Sequence, residues 1–208
     1  MDFEHSKRSM KYQKRLNAFM EELVYPAETT HERERTMAGP EATATLRRLK
    51  TEAQERGLWN LFLPSEEWGT GLANVEYAPL AEIMGRSIEL APEATNCSAP
   101  DTGNMEVLAD FGSREQQQDW LVPLLNGEIR SCFAMTEPDV ASSDPRNLAA
   151  TAERRGDEYR INGKKWWTTG AMSSDCKIAI FMGVTDPRVE PRRRYSMILV
   201  PMDTAGVE

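Results

Sequence analysis

The sequence predicts an α+β protein made of an all-helical N-terminal domain followed by a β domain. Over residues 1–129 the apolar side chains recur with the spacing of amphipathic helices. From Arg130 onward the period becomes two and β-forming residues dominate. This change of period divides the chain into 1–129 and 130–208, and we expect the second domain to be an incomplete antiparallel β-barrel or sandwich.

Composition excludes several classes of protein. The 208 residues are 40% hydrophobic and 28% charged, as in a folded domain rather than a disordered chain. With 25 Lys and Arg against 33 Asp and Glu, the formal net charge is −8, which does not suit a nucleic-acid-binding face. The sequence has no apolar run of the ~18 residues that a membrane span needs, and it does not start with a secretory signal. We therefore expect a protein that is not secreted and that binds no nucleic acid.

The sequence contains few cysteine and histidine residues that could bind a metal ion. The cysteines, Cys97, Cys132 and Cys176, are odd in number and too widely spaced for a C-x-x-C zinc pair or a disulfide framework. The two histidines, His5 and His31, both lie near the start of the chain. We expect neither a metal site nor histidine-based catalysis.

The first two predicted helices are amphipathic. The first has an apolar stripe at i, i+4, i+7, i+8 and i+11, formed by Tyr12, Leu16, Phe19, Met20 and Leu23. The pair Tyr25–Pro26 is predicted to end it, because the residue before a proline is disfavoured in the helical region. A second helix is predicted from near Pro40 to Gly57, which can adopt the left-handed conformation of a helix stop.

Three further features complete the helical domain. Residues 58–64 are too apolar for a surface loop and are expected to lie beneath the helices. A third helix is predicted with Asn74 as its N-cap and an inward face of Leu80, Ile83 and Met84. Ser113 and Gln116 form a capping box at the start of the last helix, which Pro123 is predicted to stop.

Five strands are predicted in the β domain, at 131–135, 148–154, 159–162, 177–185 and 195–201. Gly156–Asp157 joins the second and third strands in a hairpin. Arg188–Arg194 joins the last two, either as a solvated hairpin tip or as a phosphate-binding patch. The sequence stops soon after the last strand, which would leave an unpaired apolar edge, so we expect a truncated chain or one that another chain completes.

The segment Cys132–Asp144 interrupts a buried strand at Pro138 with small and hydroxyl residues. Where the strand breaks, backbone N–H groups need another acceptor, such as the edge of a planar heterocycle or a phosphate. Small residues at Ala141, Ser142 and Ser143 would let a large ligand approach the backbone. The alternative is a polar turn whose Asp and Ser side chains bond only to their own backbone.

The segment Ile161–Gly170 is built around Trp166 and Trp167. Consecutive side chains of a strand point to opposite faces, so only one indole could join a given core. The other could stack on a ligand ring, with Thr168 or Thr169 offering a hydroxyl at its edge. The alternative is that one indole fills the barrel and the other is simply an exposed sheet residue.

Together these two segments resemble the acyl-CoA dehydrogenase family. The family's signature reads Thr-Glu-Pro, small residues and Ser-Asp, as in Thr136–Pro138 and Ser143–Asp144. Its second signature, Asn-Gly-x-Lys-x-Trp-x-Thr, matches Asn162–Thr169. Stretches 99–106 and 117–127 of the helical domain are also similar, so the resemblance covers essentially the whole chain. It is strongest to the branch that contains the animal family-member-11 type and its bacterial relatives.

The resemblance implies a non-covalently bound FAD and the oxidation of an acyl-CoA, of long or branched chain, to the 2-enoyl-CoA. Electrons would pass to an electron-transfer flavoprotein, and the complete protein would be a homodimer or tetramer. It would lie in the cytoplasm of a bacterium, or in the mitochondria or peroxisomes of a eukaryote. An acyl-CoA oxidase with the same fold stays open as an alternative, as does a catalytically dead remnant that acts only in binding.

The cofactor-binding residues that the resemblance implies fall into two groups. The first would meet the pyrimidine edge of the flavin and the diphosphate: Phe133, Met135, Thr136, Ser142 and Ser143. The second would lie against the flavin ring and near its N5: Trp167, Thr168 and Thr169. Ser143 would also contact the acyl-CoA. Because this loop is one residue longer than the usual family form, the choice between Ser142 and Ser143 stays open.

No catalytic residue is expected in this chain. The family's catalytic glutamate lies in a C-terminal helical domain that the 208 residues do not include. Glu137 belongs to the loop motif, and we expect it to shape the loop rather than act as a base. The chain alone is therefore expected to be inactive.

Overall fold

The computed structural model describes residues 4–38 and 42–208, and the chain divides into two compact units, Met1–Glu128 and Ile129–Glu208. In the described ranges, every helix of more than three residues belongs to the first unit and every strand to the second. The predicted α+β class is therefore confirmed.

The first unit is built from α-helices. Their bounds are α1 Lys7–Phe19, α2 Tyr25–Ala38, α3 Ala44–Glu55, α4 Asn74–Met84, α5 Ala91–Ala94, α6 Asp101–Phe111, α7 Arg114–Gln116 and α8 Val122–Asn126. Two π-helical turns, Met20–Val24 and Gln117–Leu121, connect α1 to α2 and α7 to α8 without a break.

The helix predicted to end at Tyr25–Pro26 continues past the proline, so that prediction was wrong. In the π turn before it, the Tyr25 N–H donates to the carbonyl of Met20, five residues back. A proline disturbs an α-helix because it lacks an N–H and its ring crowds the preceding turn, and a wider turn relieves that crowding. Pro123, which was predicted to stop the last helix, is likewise preceded by a π turn and lies inside α8.

The π turn also shifts the buried face of the first helix by one residue. Leu16, Phe19 and Met20 are completely buried, as their spacing predicts. One turn later the fully buried residue is Val24, whereas the sequence pattern assigned Leu23 to this face. The extra residue in a π turn rotates the following side chains around the axis, and a helical period of 3.6 does not include that rotation.

The start of the second predicted helix, near Pro40, lies outside the described residues. Within them, α3 begins after Thr43, whose hydroxyl accepts from the Leu46 N–H at 3.0 Å. Gly57 ends this region with a φ of +58°, which confirms it as the left-handed stop. The N-cap of α4 is Ala73 rather than the predicted Asn74, and the Ala73 N–H donates to the Glu76 carboxylate at 3.1 Å.

Other predicted features of the helical unit are confirmed. Ser113 accepts from the Gln116 N–H at 3.2 Å, and the Gln116 side chain accepts from the Ser113 N–H at 2.9 Å. The apolar stretch 58–64 lies within the unit, where it contributes buried Leu58, Leu61, Phe62 and Leu63. The inward face of α4 is buried as predicted, through Leu80, Ile83 and Met84.

The second unit is built on one five-stranded sheet. Its strands are β1 Arg130–Ala134, β2 Thr151–Arg155, β3 Glu158–Asn162, β4 Cys176–Val184 and β5 Tyr195–Pro201. The predicted β2–β3 hairpin is confirmed, and β4 pairs antiparallel with β5. β4 also pairs with β1 and, at one position, with β2.

The sheet is mixed, whereas the sequence predicted antiparallel neighbours. β1 and β2 both run parallel to β4. The long connection from β1 to β4 returns the chain to the end at which β1 starts, where the Arg130 N–H donates to the carbonyl of Asp175 at 2.7 Å. In β4 the run Ile178–Phe181 is buried at every position, which is typical of a strand covered on both faces.

Gly163, directly after β3, allows a close approach of two backbone segments. A Cβ atom at this position would lie 2.3 Å from the Cβ and 2.9 Å from the Cα of Ala150. The φ of Gly163, +157°, is also unfavourable for residues with a side chain. This position therefore fixes how the chain leaves β3.

We expect Gly163→Ala to destabilise the second unit by about 1–3 kcal/mol, because the new methyl group has no space. Gly85→Ala is the matched control, since Gly85 has a helical φ of −61° and an added Cβ there meets nothing within 4 Å. Thermal unfolding of both variants is the measurement. Equal midpoints for Gly163→Ala and the wild type would contradict the close approach.

Candidate functional site

The two sequence motifs lie side by side in the second unit. The Trp166 N–H donates to the carbonyl of Thr136 at 3.0 Å. The Lys165 ammonium group donates to the carbonyl of Met135 at 2.9 Å. The end of β1 and the segment that follows β3 are therefore joined through the backbone of residues 135 and 136.

A buried ion pair holds this junction. Glu137 Oε1 accepts from Lys165 Nζ at 2.7 Å, and the side chains of Lys165 and Glu137 are only 10% and 5% exposed. The same carboxylate accepts the backbone N–H groups of Ala149 at 2.8 Å and Ala150 at 3.1 Å. Glu137 thus closes the loop that starts at Thr136, which is the loop-shaping role expected for it.

Glu137 is held in its ionised form. Burial raises the pKa of its carboxyl group, but the hydrogen bonds from Lys165, Ala149 and Ala150 outweigh burial, so the pKa lies below its ordinary value. A carboxylate that already accepts hydrogen bonds from a lysine and from two backbone N–H groups is unsuited to remove a proton from a ligand. The structure therefore gives Glu137 a structural role.

The two adjacent serines of the loop have different surroundings. Ser142 is buried, and its hydroxyl accepts from the Glu137 N–H at 2.8 Å. Ser143 is exposed and has no hydrogen-bond partner among the residues that the structure describes. Only the Ser143 hydroxyl is thus presented to solvent, where a ligand could meet it.

Asp144 shows that part of this loop does bond to itself. Its carboxylate accepts from the Arg146 N–H at 3.0 Å and from the Arg146 guanidinium group. This pairing lowers the pKa of Asp144. The side-chain hydrogen bond with Arg146 contributes most, and the bond from the Arg146 backbone N–H contributes next. The alternative of a polar turn whose side chains bond within the loop thus describes Asp144 and Ser142, but not Ser143.

The tryptophan pair lies outside the strands, so the expectation that its indoles point to opposite faces of a strand, one of them into the core, was wrong. β3 ends at Asn162, and the chain then leaves the sheet because Gly163 turns it toward Thr136. Trp166 is 45% exposed and Trp167 81% exposed, so neither indole fills the core. Their rings lie 5.7 Å apart between centroids.

Trp167 has an unfavourable backbone conformation. Its φ is +52°, in the left-handed region that bulky residues avoid at a cost of about 1–2 kcal/mol. Such strain persists only where the surrounding structure imposes it, and it is frequent at ligand sites. A large apolar side chain held outward at this cost suggests a surface built to receive a planar ligand.

A cavity of about 910 Å³ adjoins these residues. Its lining includes Trp166, Trp167, Thr168 and Thr169, together with inward residues of β1, β4 and β5 such as Ala134, Phe181 and Val200. Its volume is within the range of cofactor pockets. Aromatic rings, hydroxyls and an apolar sheet face thus share one opening.

The predicted site residues divide between this cavity and its surroundings. Trp167, Thr168 and Thr169 line it, whereas Phe133, Met135, Thr136, Ser142 and Ser143 do not. Cys132 and Ala134 line the cavity, and because a strand alternates its faces, the side chain of Phe133 points to the other side of β1. The residues that line the cavity and those that do not are therefore connected by the hydrogen bonds that Trp166 and Lys165 donate to Thr136 and Met135, and not by lining the same cavity.

Lys165 belongs to the second motif, but no role was predicted for it. The sequence signal for a role of Lys165 was its place between a predicted strand and the tryptophan pair, together with the glutamate of the first motif.

Across residues 4–38 and 42–208, no group of His, Cys, Asp and Glu is arranged to hold a metal ion. Within those same ranges, no helix has the length and apolar character to cross a membrane.

We expect Ser142→Ala to destabilise the second unit by about 1–3 kcal/mol, because it leaves the buried Glu137 N–H without an acceptor. Ser143→Ala is the matched control and is expected to leave stability unchanged. Thermal unfolding of the two variants tests the assignment. A larger loss from Ser143→Ala than from Ser142→Ala would reverse it.

The chain matches two models of one protein family. The N-terminal domain of acyl-CoA dehydrogenases matches residues 6–128, and the middle domain matches residues 132–208. FadE2 of Mycobacterium tuberculosis, named as an acyl-CoA dehydrogenase, is 54% identical over 210 residues, which cover 100% of this chain and 51% of FadE2. Acyl-CoA dehydrogenase family member 11 of Mus musculus is 47% identical over 99% of this chain and 27% of its own length. The predicted similarity to that branch is confirmed.

Solved structures agree with these matches. An acyl-CoA dehydrogenase family protein from Mycobacterium abscessus is 52% identical, with a TM-score of 0.91 over 98% of this chain and 52% of that one. A glutaryl-CoA dehydrogenase from Mycobacterium smegmatis, in complex with FADH2, shares the fold at 22% identity, with a TM-score of 0.72 over 97% of this chain and 47% of that one. The chain thus spans about half the length of FadE2 and of the M. abscessus protein. It belongs to the acyl-CoA dehydrogenase family, of which it carries the N-terminal and middle domains.

Proposed function

We propose that the complete protein is an FAD-dependent dehydrogenase that oxidises a long- or branched-chain acyl-CoA to the 2-enoyl-CoA. We further propose that it passes the electrons to an electron-transfer flavoprotein. The observation that carries this proposal is the exposed, strained Trp167, which lies beside the Thr168 and Thr169 hydroxyls at a cavity of about 910 Å³. Membership of an oxidoreductase family supports the reaction class.

The groups present fit the chemistry of FAD. A flat tricyclic ring needs an aromatic or apolar surface and hydrogen-bond donors around its edge. Trp167 offers an exposed indole, Thr168 and Thr169 offer hydroxyls, and the peptide between Met135 and Thr136 is fixed at the end of β1. The exposed Ser143 hydroxyl suits a phosphate oxygen or the acyl-CoA.

The residues of this chain would bind and orient rather than transfer protons. The chemistry that a bound FAD supplies is acceptance of a hydride from the acyl-CoA. Hydroxyl and amide donors at the edge of the ring stabilise negative charge that develops there, as donors do in an oxyanion hole. Glu137 is not proposed as the base that removes the α-proton, because it is committed to Lys165 and to two backbone N–H groups.

The complete protein is expected to purify with bound FAD and to lose its flavin absorbance anaerobically when a long- or branched-chain acyl-CoA is added. The 208-residue chain is the comparison, and by itself it is expected to bind FAD weakly and to show no turnover. A complete protein that takes up no FAD would disprove the proposed function. Turnover by the short chain would place the base within it.

Thr169→Val is expected to slow flavin reduction by about a hundredfold, because a donor to a developing charge contributes most in the transition state. Binding of acyl-CoA is expected to weaken much less. Stopped-flow reduction and equilibrium titration measure the two effects, with Thr51→Val, an exposed position on α3, as the control. Equal losses in rate and affinity would argue against this role.

A further inference from the structure

Lys165 has no donor left for a ligand. Its ammonium group donates to the carbonyl oxygens of Met135 at 2.9 Å and Met182 at 2.7 Å, and to Glu137 Oε1 at 2.7 Å. An ammonium group has three N–H donors, and all three are used. Nζ also lies 4.9 Å from the centroid of the Phe181 ring. Any effect of Lys165 on a bound molecule must therefore pass through one of these partners.

The partner that leads toward the proposed site is the peptide group between Met135 and Thr136. The Met135 carbonyl and the Thr136 N–H belong to the same amide, so a cation bonded to the oxygen makes the N–H a stronger donor. Thr136 lies beyond the end of β1, and its N–H has no acceptor among the residues that the structure describes. The strengthened donor, the Thr136 N–H, thus belongs to an exposed residue and is available to a ligand.

The surroundings of Lys165 preserve the effect of its charge. The Lys165 side chain is 10% exposed, and charges in buried pairs are screened by solvent and salt much less than surface charges are. Glu137 keeps the lysine paired, while the Ala149 and Ala150 N–H groups fix the carboxylate. The cation is therefore held at one place relative to the Met135 carbonyl.

We infer that Lys165 is a positioning residue that, through the Met135–Thr136 peptide, strengthens binding of FAD and raises its reduction potential. This inference rests on the proposed flavin function. Reduction adds electron density to the ring system, so a strengthened donor at its edge favours the reduced form more than the oxidised form. Lys165 acts on the cofactor without touching it.

The test must separate this effect from a loss of folding. Lys165→Met alone would leave the Glu137 carboxylate buried and unpaired, which is strongly destabilising. The double variant Lys165→Met/Glu137→Gln removes both charges and avoids that penalty. Lys164→Met is the matched control, because Lys164 is the adjacent lysine, is exposed, and makes no hydrogen bond or ion pair among the described residues.

The measurements are the midpoint potential, the flavin absorption spectrum, the affinity for FAD and the thermal midpoint of the complete protein. We expect the folded double variant to have a lower potential, shifted flavin bands and about tenfold weaker FAD binding, which is a modest change in binding free energy. Lys164→Met is expected to match the wild type in all four.

A double variant with the wild-type potential and spectrum would overturn the inference, because Lys165 would then serve the fold alone. Lys165→Arg provides a second variant if the double variant does not fold. It keeps a cation near the same acceptors and is expected to lower the potential less than loss of the charge does. A Lys165→Arg enzyme that binds FAD weakly but keeps the wild-type potential would also contradict the inference. A wild-type protein that binds no FAD would instead refute the proposed function, before any variant is compared.

Discussion

The arrangement of the second unit depends on one buried ion pair. Lys165 and Glu137 join three places that are distant along the chain: the end of β1, the two residues just before β2, and the carbonyl of Met182 in β4. Removing one member would leave a buried charge without its partner, which costs far more than the net stabilisation that the pair provides. Replacing either residue alone would therefore disturb the whole junction.

This junction explains why the two motifs lie side by side. The loop after β1 is closed by the Ser142 hydroxyl, which accepts from the Glu137 N–H, and by the Glu137 carboxylate, which accepts from the Ala149 N–H. The segment after β3 is drawn to the same place by Lys165 and Trp166, and this leaves Trp167 in a left-handed conformation with its indole outward. The strain at Trp167 is offset by bonds that its neighbours make. Features of this kind are expected where a protein prepares a surface for a ligand.

Family membership and mechanism rest on different observations. The two matched domain models and relatives that are about 50% identical in sequence show that this chain belongs to the acyl-CoA dehydrogenase family. The geometry adds which groups are free to meet a ligand: Ser143 rather than Ser142, and exposed rather than packed indoles. It also removes Glu137 from consideration as a base. The chemistry proposed for the complete protein therefore assigns binding and orientation to this chain.

The sequence by itself determined the two structural classes, the main strands and the positions of the site motifs, because periodicity, capping residues and motif spacing are local signals. Only the structure decided where Pro26 and Pro123 are tolerated, since a helical period of 3.6 does not predict the π turns that precede them. It also decided the parallel pairing of β1 with β4 and the departure of Trp166 and Trp167 from the sheet. Those outcomes follow from the Gly163–Ala150 approach and from hydrogen bonds between residues about thirty positions apart, which no local pattern encodes.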